Sequence, residues 1–147
     1  MNILECITED TVLFTDEKDK YAVISTLIDK ALELGKINNE EEFKKAIDAR
    51  ESLISTGIGL GVAVPHAKIG SIKEFFIIMG ITSSPIQWDS IDHQPVNLVF
   101  LIGGPADQQN QYLKLLSQII LVVKNDIKRE ILMKAKEIDT VIKQFQG

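Results

Sequence analysis

The sequence predicts an α/β fold, a mixed β-sheet with helices on both of its faces. Two amphipathic helical stretches come first, a block of short runs rich in Val, Ile and Phe follows, and three further helical stretches close the chain. Helices on either side of a strand block in sequence cover a sheet on two faces in space. The strand runs lie close together, so some pair as antiparallel hairpins and the sheet is mixed.

The elements are taken in order. After a short N-terminal segment, Thr15-Asp16 can cap a helix running to about residue 34. Its apolar stripe is Tyr21, Ile24, Leu27, Ile28, Ala31 and Leu32, at spacings of three and four. Gly35 is a good stop. A second helix follows Asn38-Asn39, with Glu40, Glu41 and Glu42 complementing the positive end of its dipole. Phe43, Ala46 and Ile47 give it a buried face, with Leu53 a further candidate.

The stretch from Ser55 through Gly57, Gly59 and Gly61 then breaks regular structure. Val62-Ala63-Val64 and residues 75–81 and 96–102 read as strands bounded by Gly, Pro, Ser and Asp. The run 96–102 is nearly continuous in apolar character, which marks an inner strand covered on both faces. A long helix over 107–124 is expected to bury Leu113, Leu116, Ile119, Ile120 and Val123. Asn125 and Asp139 can cap two shorter helices after it.

Composition narrows the function classes. The 147 residues, 45% apolar and 25% charged, suit one compact soluble domain spanning the whole chain. The net charge is −5, and the Lys and Arg residues are scattered, so no basic stripe offers itself to nucleic acid. No run is long and apolar enough for a membrane span, and the first residues lack the pattern of a signal peptide. Cys6 is the only cysteine and cannot form an internal disulfide, which fits a reducing, cytoplasmic location. No His/Cys/Asp/Glu cluster has metal-ligand spacing and no cofactor is implied. Partners are expected to be proteins or small molecules.

The chemistry concentrates around His66. Pro65 fixes its own φ and pushes Val64 toward extended geometry, so the strand ends and places His66 at the rim of the sheet. The glycine-rich turn upstream can offer backbone N–H groups to an anion. Arg50, near the end of the preceding helix, offers a permanent charge and a planar fork of donors suited to phosphate. A neutral imidazole is a competent nucleophile near pH 7, and the P–N bond that it forms is labile enough to be passed on. Phosphoryl transfer depends mainly on positioning and charge stabilisation, so a small site without a metal suffices. The glycine pattern is not a nucleotide loop: it leads into a strand and a proline, and lacks the Gly-Lys-Ser/Thr ending.

Arg50-Glu51 followed by Ser55-Thr56-Gly57-Ile58-Gly59-Leu60-Gly61-Val62-Ala63-Val64-Pro65-His66-Ala67-Lys68 resembles the signature of the fructose/mannitol class of phosphotransferase-system IIA domains. That class includes the nitrogen-regulatory IIA proteins. The resemblance extends over nearly the whole chain and implies a three-layer α/β/α sandwich with a central mixed sheet. It also implies that His66 accepts a phosphoryl group from the phosphohistidine of an HPr-like carrier and passes it to a IIB domain or another acceptor. By the same resemblance Arg50 steadies the phosphoryl oxygens.

One departure stands out: many members carry a second histidine where this chain has Tyr112. A phenol can donate a hydrogen bond but cannot take up positive charge, and plain packing is its alternative role. Thr56, beside Gly57, can donate its hydroxyl toward the phosphoryl group or stabilise the turn. His93, in Asp92-His93-Gln94-Pro95, reads as a turn residue and Trp88 as packing. Two roles share this chemistry: a link in sugar uptake, or a regulatory protein whose phosphorylation state controls a partner such as an ion transporter or kinase.

Overall fold

A computed structural model describes residues 2–147. A 3-10 turn at Ile3–Glu5 leads into β1 (Val12–Thr15), α1 (Lys20–Glu33), α2 (Glu40–Leu53), β2 (Gly57–Gly59), β3 (Val62–Ala63) and β4 (His66–Lys68). Then come β5 (Phe76–Ile86), β6 (Val96–Gly104), α3 (Gln109–Val123), α4 (Asp126–Lys134) and α5 (Ile138–Gln146). The strands make one six-stranded sheet in the order β1-β5-β6-β3-β2, and β4 pairs with β6 beyond β3. β5 and β6 are antiparallel, as are β2 and β3, whereas β1 runs parallel to β5, and β3 and β4 run parallel to β6. The sheet is mixed, as its short connections require.

β6 is the inner strand that its apolar run predicted. Phe100 and Ile102 point to one face, where they join Leu115, Ile119, Leu132, Val141 and Phe145 of α3, α4 and α5. Val99 and Leu101 point to the other and join Ile24, Leu27, Phe43 and Ile47 of α1 and α2. Alternation with period two thus feeds two cores from one strand, and the fold is three-layered.

Several boundaries move for identifiable reasons. α1 starts five residues after Thr15, because Val12–Thr15 extends the sheet in parallel register with Met79–Thr82. Asp19 becomes the cap, its carboxylate accepting from the Tyr21 and Ala22 amides at 3.1 and 3.2 Å. Tyr21, Leu32 and Leu53, expected on buried faces, are 52%, 39% and 78% exposed, while Val23 joins the core. In α3 the buried face is Tyr112, Leu115, Ile119, Val122 and Val123, and Leu113 and Ile120 turn to solvent. That helix is apolar around most of its circumference, so periodicity alone selects no face. Glu137 rather than Asp139 precedes α5, without a side-chain capping bond. Asn39 and Asn125 cap α2 and α4 as expected.

The glycine-rich stretch does not interrupt regular structure. It folds into a tight hairpin whose central residues Leu60 and Gly61 have φ of 60° and 77°. Two successive left-handed residues match the twist of the flanking strands. A leucine in that region costs on the order of 1 kcal/mol. Asp92 holds it there, accepting the Leu60 amide at 3.0 Å.

Candidate functional site

His66 opens β4 opposite Ile102, so it lies toward the C-terminal end of the central strand β6. That is the side of an α/β sheet where ligand sites gather. Pro65 cannot donate, but its carbonyl accepts the Ile102 amide at 2.9 Å and ties the approach to the sheet. His66 is half-buried, with Nδ1 2.9 Å from the Val64 carbonyl oxygen. A carbonyl can only accept, so Nδ1 carries the proton and Nε2 carries the free lone pair. Burial pushes the imidazole below its ordinary pKa, and the positive charges of Arg50 and Lys68 add to the shift. The Val64 carbonyl and the Glu51 carboxylate oppose it. The ring is therefore neutral at pH 7 and available as a nucleophile.

Tyr112, in the first turn of α3, places its ring centroid 4.8 Å from that of His66, with the planes tilted by 32°. The tyrosine is buried, and burial raises the phenol pKa against the influence of Arg50. Arg50, in the last turn of α2, donates from Nη1 to the Ile54 carbonyl at 2.6 Å. A guanidinium has five N–H groups, so this bond fixes the fork while leaving donors for an anion. Its positive charge lowers the pKa of both His66 and Tyr112.

Beneath Arg50 lies a buried network that sequence reading missed. The Glu51 side chain is fully buried and pairs with Lys20 Nζ at 2.9 Å. It also accepts a short hydrogen bond from the Thr56 hydroxyl and a long one, 3.4 Å, from the Thr56 amide. Trp88 Nε1 donates to the same Thr56 oxygen at 3.2 Å, and Lys20 Nζ lies 5.3 Å from the Trp88 ring centroid. The Ser55 hydroxyl closes the other side, donating to the Trp88 carbonyl at 2.6 Å. α1, α2, the segment before β2 and the Trp88 loop are thereby locked together at the C-terminal end of α2. A signal for Glu51 existed: Phe43, Ile47 and Glu51 fall at steps of four on one helix face, so a carboxylate sits on an apolar stripe.

The network settles which way Thr56 points. Its hydroxyl donates to Glu51, a bond that stabilises the segment. Gly57 serves packing: a Cβ there would lie 2.2 Å from Ser90 Oγ and 2.9 Å from its Cα. Gly57→Ala is expected to cost about 1–3 kcal/mol by overpacking, read as a lowered midpoint in urea unfolding.

The hairpin turn is far from His66. The Gly61 carbonyl accepts from Asn97 and Leu98, whereas His66 faces Ile102. Four residues of strand separate them, about 13 Å at the usual rise. The Leu60-Gly61 tip thus stands away from this histidine, whereas the Thr56 end of the stretch accepts the Val64 amide at 3.0 Å. His93 is exposed in a turn with φ 61°, its amide donating to the Ser90 carbonyl at 2.9 Å. Trp88 is fully buried, so it packs as expected and adds the bond to Thr56.

Among the described residues no group of three or more His, Cys, Asp and Glu could hold a metal ion. None of the described helices is long and apolar enough to cross a membrane.

This architecture has counterparts among known proteins. Residues 5–147 match the family model described as "Phosphoenolpyruvate-dependent sugar phosphotransferase system, EIIA 2". A fructose-specific EIIABC component of Bacillus subtilis is 37% identical over 146 residues. That match covers 97% of this chain but 22% of the relative, so the chain spans about a fifth of that protein's length. A nitrogen regulatory protein of Bradyrhizobium diazoefficiens is 34% identical over 72% of this chain and 69% of its own. The crystal structure of the nitrogen regulatory protein IIA-Ntr from Neisseria meningitidis superposes with a TM-score of 0.90 at 26% identity, covering 98% of this chain and 99% of that one. IIA mannitol from Escherichia coli shares the fold at 15% identity, with a TM-score of 0.81 over 94% of this chain and 97% of that one. A match running from residue 5 to the last residue, on the same three-layer fold, places this chain in the EIIA type 2 family of the sugar phosphotransferase system.

Proposed function

We propose that this protein is a phosphocarrier that takes a phosphoryl group onto Nε2 of His66 from an HPr-like phosphohistidine donor and passes it to a IIB domain in sugar uptake. The observation that carries the reading is a neutral imidazole toward the end of the central strand, with Nδ1 tied to a carbonyl, Nε2 free and the charge of Arg50 acting on the ring. The Nε2 lone pair forms the new N–P bond as the donor's N–P bond breaks and its electron pair stays with the donor nitrogen. The Nδ1 proton does not move; the Val64 carbonyl stabilises the positive charge that the ring acquires.

A relay between proteins also needs a docking surface. Leu53 and Ile54, beside Arg50, are 78% and 69% exposed, which suits contact with a partner protein rather than enclosure of a small substrate. A known structure of this fold is a complex of the mannitol IIA enzyme with phosphorylated IIB, which supports a IIB acceptor here. In this reading the protein works in the cytoplasm and needs no cofactor.

Incubation with phosphoenolpyruvate, enzyme I and HPr should add one acid-labile phosphoryl group, read by intact mass. A chain whose mass stays unchanged would overturn the proposal. Arg50→Ala should keep the fold and slow transfer roughly 10²–10³-fold, the usual loss for one transition-state donor.

The regulatory alternative is favoured by the likeness to nitrogen regulatory proteins and by Tyr112. It keeps the chemistry and changes the acceptor. Phosphorylated protein that yields its group to no IIB domain, yet binds a partner differently in its two states, would establish it.

A further inference from the structure

We propose that Lys68 is a second phosphoryl-binding residue of this site, parked on the face of Tyr112 until a phosphoryl group arrives on His66. This rests on the reading of His66 as the phosphoryl acceptor. His66 and Lys68 are two residues apart on β4, so their side chains share one face of the sheet, while Ala67 between them packs against the opposite core. Lys68 Nζ lies 5.0 Å from the Tyr112 ring centroid, and that ring lies 4.8 Å from the ring of His66. One phenol ring therefore contacts both the nucleophile and the cation, and it holds the cation by its negative face.

Lys68 carries no ion pair among the described residues, a state it shares with nine other lysines, so its place beside His66 is what singles it out. Lys20, Lys30, Lys45 and Lys134 each pair with a carboxylate. Among the described residues Lys68 has no such partner, and the aromatic face is the contact that it makes. Placing a lone cation beside a half-buried histidine, where Arg50 already stands, has no structural merit by itself. Charge balance supplies the reason. A transferred phosphoryl group brings about two negative charges near pH 7. Arg50 supplies one positive charge, and part of its fork is committed to Ile54. Lys68 supplies the second. A flexible ammonium suits this task, since it can leave a weak cation–π contact for a charge-assisted hydrogen bond. No proton is transferred; the ammonium donates N–H bonds to phosphoryl oxygens while the N–P bond forms on His66.

This arrangement gives Tyr112 a role different from that of a histidine at the same place. It is a positioning residue, holding Lys68 near His66 without adding charge. Before transfer, Lys68 and Arg50 together help keep the imidazole neutral, with Glu51 opposing them and the buried Tyr112 phenol uncharged.

The test compares wild type, Lys68→Gln and Lys68→Arg in transfer from phosphorylated HPr, with kcat and KM separated. For Lys68→Gln, kcat should fall roughly 10- to 100-fold, the loss expected for one hydrogen bond to a charged group, with KM within about twofold. Its phosphorylated form should also hydrolyse faster. Lys68→Arg should recover most of the rate. In wild type, the Tyr112 ring proton resonances should shift on phosphorylation as the ammonium leaves, and in Lys68→Gln that shift should shrink. If Lys68→Gln matches wild type in kcat and in phosphohistidine lifetime, the assignment of Lys68 is wrong while the His66 reading stands. If wild type itself takes no label, the His66 reading has failed first. A change in KM alone would make Lys68 a docking residue and overturn the proposal.

Discussion

His66→Gln is expected to take up no phosphoryl group at all, with intact mass unchanged under conditions that label wild type fully. The expectation follows from geometry. Nε2 of His66 is the free nitrogen of the site, because Nδ1 is committed to the Val64 carbonyl. The nearby nucleophiles are excluded: the Thr56 hydroxyl is buried and donates to Glu51, and the Tyr112 phenol is buried with its pKa pushed upward. Glutamine retains a side-chain amide able to donate to Val64, so the fold should survive. Residual label in the variant would move the acceptor elsewhere.

The same substitution has a pH signature. Burial, Arg50 and Lys68 lower the folded-state pKa of His66 below the free value of about 6.5. Between the two values the unfolded chain binds more protons than the folded one, so stability falls as pH drops through that window. His66→Gln removes this term. Its urea midpoint should therefore lose less than that of wild type when the pH is lowered from 7 to about 5. Identical losses would show that His66 is not desolvated.

Glu51→Ala is expected to be the most destabilising substitution near the site, at about 3 kcal/mol. Removing one partner of a buried ion pair costs about 3–5 kcal/mol, because the other charge is left without compensation. The lower end applies, since the Lys20 side chain keeps 12% of its surface exposed and can reach water. The Thr56 hydroxyl and amide also lose their acceptor. Trp88 is the only tryptophan, it is fully buried, and it touches both Thr56 and Lys20. Its fluorescence in a urea titration reads the loss directly. Glu51→Gln keeps an acceptor for Thr56 and should lose less. A Glu51→Ala protein as stable as wild type would mean that the network is incidental.

Much of this protein could be read along the chain. The apolar run at 96–102 announced a strand buried on both faces, and Phe100 and Ile102 against Val99 and Leu101 fill two cores. The caps at Asn39 and Asn125, the stop at Gly35 and the family signature from Arg50 to Lys68 needed only neighbours within a few positions. Capping and periodicity are local events, governed by backbone geometry and side chains one or two turns away, whereas the resumption of pairing with β6 at His66, after the break at Pro65, is not. The tertiary structure alone decided the rest. It set which face of α3 turns inward, that the glycine hairpin stands at the far end of β6 from His66, and that Thr56 faces Glu51. It also brought Lys20, 31 residues before Glu51, and Tyr112, 46 residues after His66, to their partners. Those contacts depend on strand register and on the rotation of each helix over the sheet, which the whole core fixes at once.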